Sequence, residues 1–338
     1  MRRVAVLGAG SWGTALAVHL ARVGHEVHLW ARDADLVADM AAHRANRVYL
    51  PEAMFPGTMA VTHAVDGALR GADLVVSAIP SHGCRAVMAA AAPYVPAGAA
   101  IVSATKGLES GTLLRMSEVI AQEVGTGHPV VVLSGPSFAS EVARGLPTAV
   151  LAASFSAEAA ELAQDEFRGP AFRLYGSSDV IGVEIGGAMK NVIAIAAGVA
   201  EGVGLGHNAL AALITRGLAE VTRLACAVGA RRETLAGLSG LGDLVLTCTG
   251  ELSRNRRVGI ELARGRPLSD ILATMKMVAE GVRTTHAVLA LGARHGVELP
   301  ITTQMDEVLS GRSDIRAALA ALMLRPQRAE AEAADRIG

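Results

Sequence analysis

Apolar residues in the first half of the chain fall in short runs, separated by glycine-containing breaks and by stretches with helical spacing. Residues 3–7 (RVAVL) end at Gly8, as a strand buried on both faces would. Residues 11–23 carry the spacing of a helix, and residues 26–30 (EVHLW) read as a second strand. The alternation continues with strands at 73–79 (DLVVSAI), 99–104 and 130–133, and with a helix at 84–92. Two last strands are expected at 148–153 and 171–175, joined by a helix around 157–167. Strands and helices in this order predict a mainly parallel α/β sheet.

After residue 175 the pattern changes. Residues 176–179 (GSSD) read as a turn and a helix N-cap, and only helical periodicity follows. The division is therefore expected near Ser178, with an α/β domain over residues 1–178 and an all-helical domain over residues 179–338. The helical part opens on residues 179–201 (DVIGVEIGGAMKNVIAIAAGVAE), apolar on every side, with Lys190 and Asn191 at its middle. Such a run is a core helix rather than a surface one. It is nearly long enough to cross a bilayer, but Glu184, Lys190 and Asn191 inside it and the lack of a second span argue against an integral membrane protein. Lys190 can snorkel to water from such a helix. Alternatively, desolvation lowers its proton affinity and makes it an acid or base. The small residues Gly186, Gly187 and Ala188 leave room beside it for a backbone or a ligand.

The break after the first strand is Gly8-Ala9-Gly10-Ser11-Trp12-Gly13, a GxGxxG between strand and helix at the start of a βαβ unit. In that place it signals a Rossmann-type dinucleotide site. Gly8 makes the turn, Gly10 lets backbone approach a pyrophosphate, and Gly13 lets helix and strand pack closely. Arg32, just past the second strand, suits a 2′-phosphate, whereas Asp33 suits free ribose hydroxyls. NADPH is preferred on this reading, with NADH possible. Lys106 and residues 134–137 (SGPS) follow later strands, at the end where ligands bind in open sheets. Lys106 is either a ligand contact or an ordinary loop lysine.

Three segments of the helical half carry further chemistry. Asp243, in the glycine-rich stretch 237–249 (GLSGLGDLVLTCT), is either a helix cap or a partner that tunes Lys190. Residues 253–257 (SRNRR) are either a solvated basic face or an anion site at a helix start. Residues 278–284 (VAEGVRT) offer a glycine turn between charges. The chain's 338 residues are 51% hydrophobic and 19% charged, enough for two domains with large cores. A net charge of −1 argues against nucleic acid as the main partner, so an anionic ligand must meet a local cationic cluster. The three cysteines, Cys84, Cys226 and Cys248, lack metal or disulfide spacing, which fits a reducing compartment. Arg2 and Arg3 before an apolar run superficially resemble a signal peptide, but the run breaks at Gly8, Gly10 and Gly13 without a clear cleavage site.

Residues 8–14 (GAGSWGT), 106–107 (KG), 134–138 (SGPSF), 187–191 (GAMKN), 237–243 (GLSGLGD), 253–255 (SRN) and 280–281 (EG) occur in this order. The set resembles bacterial-type NAD(P)-dependent glycerol-3-phosphate dehydrogenases over nearly the whole chain. The first motif is shared by many dehydrogenases, but the combination is specific. The resemblance implies interconversion of dihydroxyacetone phosphate and sn-glycerol 3-phosphate, the glycerophospholipid precursor. It implies Lys190 as the proton acceptor or donor with Asp243 beside it. Lys106, Gly135, Ser137, Ser253, Arg254 and Asn255 would hold the substrate. Ser11, Trp12, Arg32, Asp33, Lys106, Ala139, Arg254, Val278 and Glu280 would surround the cofactor. It further implies a cytoplasmic homodimer that needs no metal. The competing readings are a hydroxy-acid dehydrogenase of the 3-hydroxyacyl or 6-phosphogluconate type, and an NADPH-binding sensor without catalysis.

Overall fold

The computed structural model describes residues 1–275 and 279–327. Its strands are β1 (Arg3–Leu7), β2 (Glu26–Trp30), β3 (Ala45–Asn46), β4 (Leu50–Met54), β5 (Met59–Thr62), β6 (Leu74–Ser77), β7 (Ala100–Ser103), β8 (Val130–Ser134), β9 (Thr148–Ala153) and β10 (Phe172–Ser177). Eight of them form one sheet in the order β10-β9-β8-β7-β6-β1-β2-β5. Every pair is parallel except β8 with β9, where Leu133 lies opposite Ala152. The mainly parallel α/β sheet is as predicted. Its central strands are apolar throughout because helices cover both faces; Val4, Ala5, Val6 and Leu7 have no exposed surface.

Strand order reverses between β1 and β6: the chain goes outward through β2 and β5 on one side, and through β7 and β8 on the other. The C-terminal ends of β1 and β6 thus border the crevice where open α/β sheets take ligands. The edge strand β5 and the separate antiparallel hairpin β3–β4 were not foreseen. Strand β5 has four residues and only Met59 buried, too little for a periodic signal. The hairpin inserts beside the crevice, where its Asn46 side chain donates to the Ala9 carbonyl and to Thr14 Oγ1 at 2.8 and 2.9 Å.

After β10 the described chain is helical. The helix Val180–Gly202 is capped by Asp179, whose carboxylate accepts from the Gly182 N–H. It is long and apolar enough to cross a membrane, yet 94% of its most apolar window is buried within the fold. Helices Gly206–Ala227, Asp243–Thr249, Arg254–Ala263 and Glu280–Arg294 pack around it. Its crossing with Arg254–Ala263 is backbone on backbone. A Cβ on Gly198 would lie 1.9 Å from the Arg256 carbonyl oxygen, and one on Gly259 2.0 Å from that of Ile195.

Glu184 ties this core helix to the α/β half. Its carboxylate takes 2.7 Å from Arg115 Nη1, 2.8 Å from the Ser117 N–H and 2.6 Å from Ser117 Oγ, at the start of the helix Met116–Val124. Burial pushes the Glu184 pKa up, and Arg115 opposes that push. Removing one partner of a buried pair costs about 3–5 kcal/mol. Arg115 keeps Glu118 at 2.9 Å, which favours the low end. Glu184→Ala should therefore lower the unfolding free energy by about 3 kcal/mol, read from the urea midpoint, and Glu184→Gln by clearly less.

Candidate active site

A cleft of about 640 Å³ opens at the crevice and runs down to the core helix. Its upper end is built by the glycine loop. Gly8 sits at φ +112°, and a Cβ there would lie 2.7 Å from the Ala78 carbonyl oxygen. A Cβ on Gly13 would lie 1.9 Å from the Gly8 carbonyl oxygen, so only glycine lets the helix Ser11–Arg22 start this close to β1. Gly10 has no neighbour within 4 Å on its Cβ side and lines the cleft. A side chain there would fill space that a pyrophosphate can use. The N-cap of this helix is Gly10, which offers no capping side chain, so its first turn suits an anion. A dinucleotide therefore fits the loop.

Ser11, Trp12, Arg32, Asp33 and Ala139 line the same cleft. Asp33 is the N-cap of the helix Ala34–His43: its Oδ1 accepts from the N–H groups of Asp35 and Leu36 at 2.9 and 3.1 Å. One oxygen of that carboxylate is thus engaged locally, and Arg32 and Asp33 are both exposed at the cleft. Val278 lies outside the described residues.

At the lower end three charged groups meet. Lys190 is 8% exposed. Its ammonium donates to Asp243 Oδ1 in a short contact and to Thr247 Oγ1 at 2.9 Å. Lys106 Nζ donates to the other oxygen of Asp243 at 2.7 Å and to the Gly135 carbonyl at 3.2 Å. Asp243 has no exposed surface and follows one turn of π-helix, Leu238–Gly242. It opens the helix Asp243–Thr249, yet its side chain bridges the lysines instead of capping. Burial lowers the Lys190 pKa to about 8; Lys106 pushes the same way and Asp243 opposes both. One carboxylate between two ammoniums leaves an uncompensated positive charge, which an anionic ligand or loss of one proton would relieve.

The remaining predicted residues surround this group. Ser137 Oγ donates to the Gly135 carbonyl at 2.9 Å. Ser253 caps the helix Arg254–Ala263 by accepting from the Arg256 N–H. Arg254 is open to the cleft, whose concave wall lowers its pKa by desolvation against the pull of Glu280. Asn255 is 8% exposed; its amide donates to Asn191 Oδ1 at 2.9 Å and accepts from the Gly281 N–H at 3.0 Å. Glu280 reaches across to Ser81. Gly13, Gly135 and Asp243 do not line the cleft but stand one layer behind it.

Thr247, which orients the Lys190 ammonium, was not foreseen. Its position four residues after Asp243, on one helix face, was the available signal. Tyr49 and Glu52, brought to the cleft by the β3–β4 hairpin, carry no such signal. A larger groove of about 1370 Å³ lies among the helices Val180–Gly202, Gly206–Ala227, Pro300–Leu309 and Ile315–Met323, and it contains none of the predicted site residues.

A sequence model for the NAD-dependent glycerol-3-phosphate dehydrogenase N-terminus matches residues 3–160, and one for the C-terminus of the same enzymes matches residues 179–320. A Koribacter versatilis protein named glycerol-3-phosphate dehydrogenase (NAD(P)+) is 53% identical over 334 residues, 98% of this chain and 99% of its own length. One of the same name from Acidobacterium capsulatum is 54% identical over 338 residues, 98% of this chain and 100% of its own length. The crystal structure of glycerol-3-phosphate dehydrogenase from Coxiella burnetii superposes with a TM-score of 0.92 at 42% identity, covering 96% of this chain and 99% of that one. With both halves matched and the glycine loop and buried lysine in place, the chain belongs to the NAD-dependent glycerol-3-phosphate dehydrogenase family.

Proposed function

We propose that this cleft interconverts dihydroxyacetone phosphate and sn-glycerol 3-phosphate, and that Lys190 exchanges the proton at the C2 oxygen. NADPH, preferred, or NADH supplies the hydride to C2 when bound. The observation that carries the assignment is the buried Lys190 ammonium, held by Asp243 and Thr247 beside the cleft with a pKa near 8. As charge builds on the ketone oxygen, that ammonium stabilises it and gives up a proton; in the reverse direction the neutral amine accepts one. Lys106 shares Asp243, so it adds positive potential and tightens the site around an anion. Arg254 and Asn255 supply donors for the phosphate, with Ser253 fixing the helix start that carries them. Phosphate binding far from the reacting carbon provides energy for closing and ordering the site.

The division of labour follows the chain: residues 1–178 bind the dinucleotide, and residues 179–338 supply the proton and most of the substrate contacts. The same reading makes the enzyme a cytoplasmic homodimer. It takes the place of the hydroxy-acid dehydrogenase and of the sensor. With one Asp33 oxygen taken up by its helix cap, the exposed guanidinium of Arg32 favours NADPH.

The central test follows NADPH oxidation by dihydroxyacetone phosphate. Lys190→Ala should lose about 10²–10⁴-fold in kcat while still binding NADPH; a variant with wild-type kcat would move the proton to another group. The pH dependence has a definite sign. Because the ammonium is the acid, kcat/KM for ketone reduction should fall as pH rises through about 8. For alcohol oxidation it should rise through the same range. Arg32→Ala should raise the KM for NADPH about tenfold or more and leave that for NADH nearly unchanged. Asp33→Asn, which keeps a capping oxygen, should alter neither strongly.

A further inference from the structure

Glu280 and Ser81 belong to opposite halves of the chain, 199 residues apart. Ser81 is the first residue of the helix Ser81–Ala91, directly after Pro80 in the turn that follows β6. Glu280 is the first residue of the helix Glu280–Arg294. The Ser81 N–H donates to Glu280 Oε1 at 3.1 Å, and Ser81 Oγ donates to Oε2 at 2.6 Å. Ser81 is 5% exposed. This is a two-point clamp on a carboxylate, in which each donor takes one oxygen and leaves both oxygens further acceptor capacity.

Two independent features fit the clamp. Gly107 sits at φ +150°, and a Cβ there would lie 2.8 Å from Ser81 Cβ, 3.0 Å from Ser81 Oγ and 3.6 Å from Glu280 Oε2. The turn after Lys106 is therefore built without a side chain where the clamp needs space. On the other side, Gly281 donates its N–H to Asn255, and the charge of Glu280 acts on Arg254. The start of the helix Glu280–Arg294 is thus fixed by Ser81 from one half and by Asn255 from the other, with Pro80, His82 and Glu280 all lining the cleft.

We infer that Ser81 is a positioning residue: by clamping Glu280 it fixes the helical half over the dinucleotide cleft and sets the geometry in which Glu280 and Arg254 meet the cofactor. The inference rests on the reading of this cleft as the NADPH site. It gives Ser81 no part in proton transfer, so its loss falls on cofactor affinity and not on the chemical step.

The test measures NADPH affinity by fluorescence titration of the purified protein, without substrate, alongside steady-state kinetics and the melting temperature. In Ser81→Ala the NADPH dissociation constant and KM should rise about five- to tenfold, the order expected for one hydrogen bond to a charged group. The kcat at saturating NADPH should stay within about twofold, with the fold intact by melting. In a Glu280→Ala background, the further change Ser81→Ala should have almost no effect on NADPH affinity, because the residue through which it acts is gone. Additive losses in the double variant, or an unchanged dissociation constant in Ser81→Ala, would overturn the clamp. If Ser81→Ala fails to fold, Glu280→Gln, which keeps one oxygen and drops the charge, must weaken NADPH binding for the inference to stand. Failure of the wild-type protein to bind NADPH would instead remove the cofactor assignment beneath it.

Discussion

One fully buried carboxylate, Asp243, holds two lysine ammoniums. Without it, Lys106 and Lys190 would repel each other, and Lys190 would shed its proton more readily or pull away from the cleft. With it, the ammonium persists near neutral pH but is held loosely enough to be given up. Burial and Lys106 drive the proton off, and Asp243 keeps it. The surrounding structure serves this balance. The π-helical turn delivers Asp243 inward, Thr247 takes a further ammonium hydrogen, and the Gly135 carbonyl fixes Lys106.

The sheet was legible in the sequence because a strand covered on both faces is a nearly continuous apolar run, and β1 after Arg3, β6 and β7 are of that kind, while β2 alternates buried and half-buried residues. Strand β5 was not, since a half-exposed edge strand of four residues leaves no such trace. Nor does an apolar run state its direction, and the antiparallel pairing of β9 came only with the structure. Within the site, Lys190 drew notice as an ammonium inside an apolar helix. Its contact with Asp243 spans 53 residues of sequence, and no local pattern encodes that. Of the two readings of Asp243, cap or partner of Lys190, the structure takes the second: Asp243 leaves its own helix start to bridge two cations. Asp33, by contrast, turns out to be a helix cap, which was not foreseen.

The core helix Val180–Gly202 is at once the centre of the helical half and the carrier of the lysine. Its neighbours approach to backbone contact at Gly198 and Gly259, where any side chain would force them apart. Glu184 pins the same helix to the α/β half a turn and a half before Lys190. Rigidity and chemistry thus share one element. A shift of this helix would alter the packing of the domain and the distance between Lys190 and the cleft together.

The reversed strand β9 has a consequence for where that helix begins. Because β9 runs against β8 and β10 runs with β9, the chain leaves Ser177 at the end of the sheet remote from the ligand crevice. Val180 and Val183 accordingly pack beside Val132 and Ala153 low on the sheet, whereas Gly187 already lies against Ser134 at the top of β8. The helix climbs the flank of β8. Ten residues at 1.5 Å each lift it about 15 Å, close to the rise of a five-residue strand. Lys190 therefore emerges level with the mouth of the crevice, and the two reversed strands, β9 and β10, serve as the launching step that sets the lysine's height.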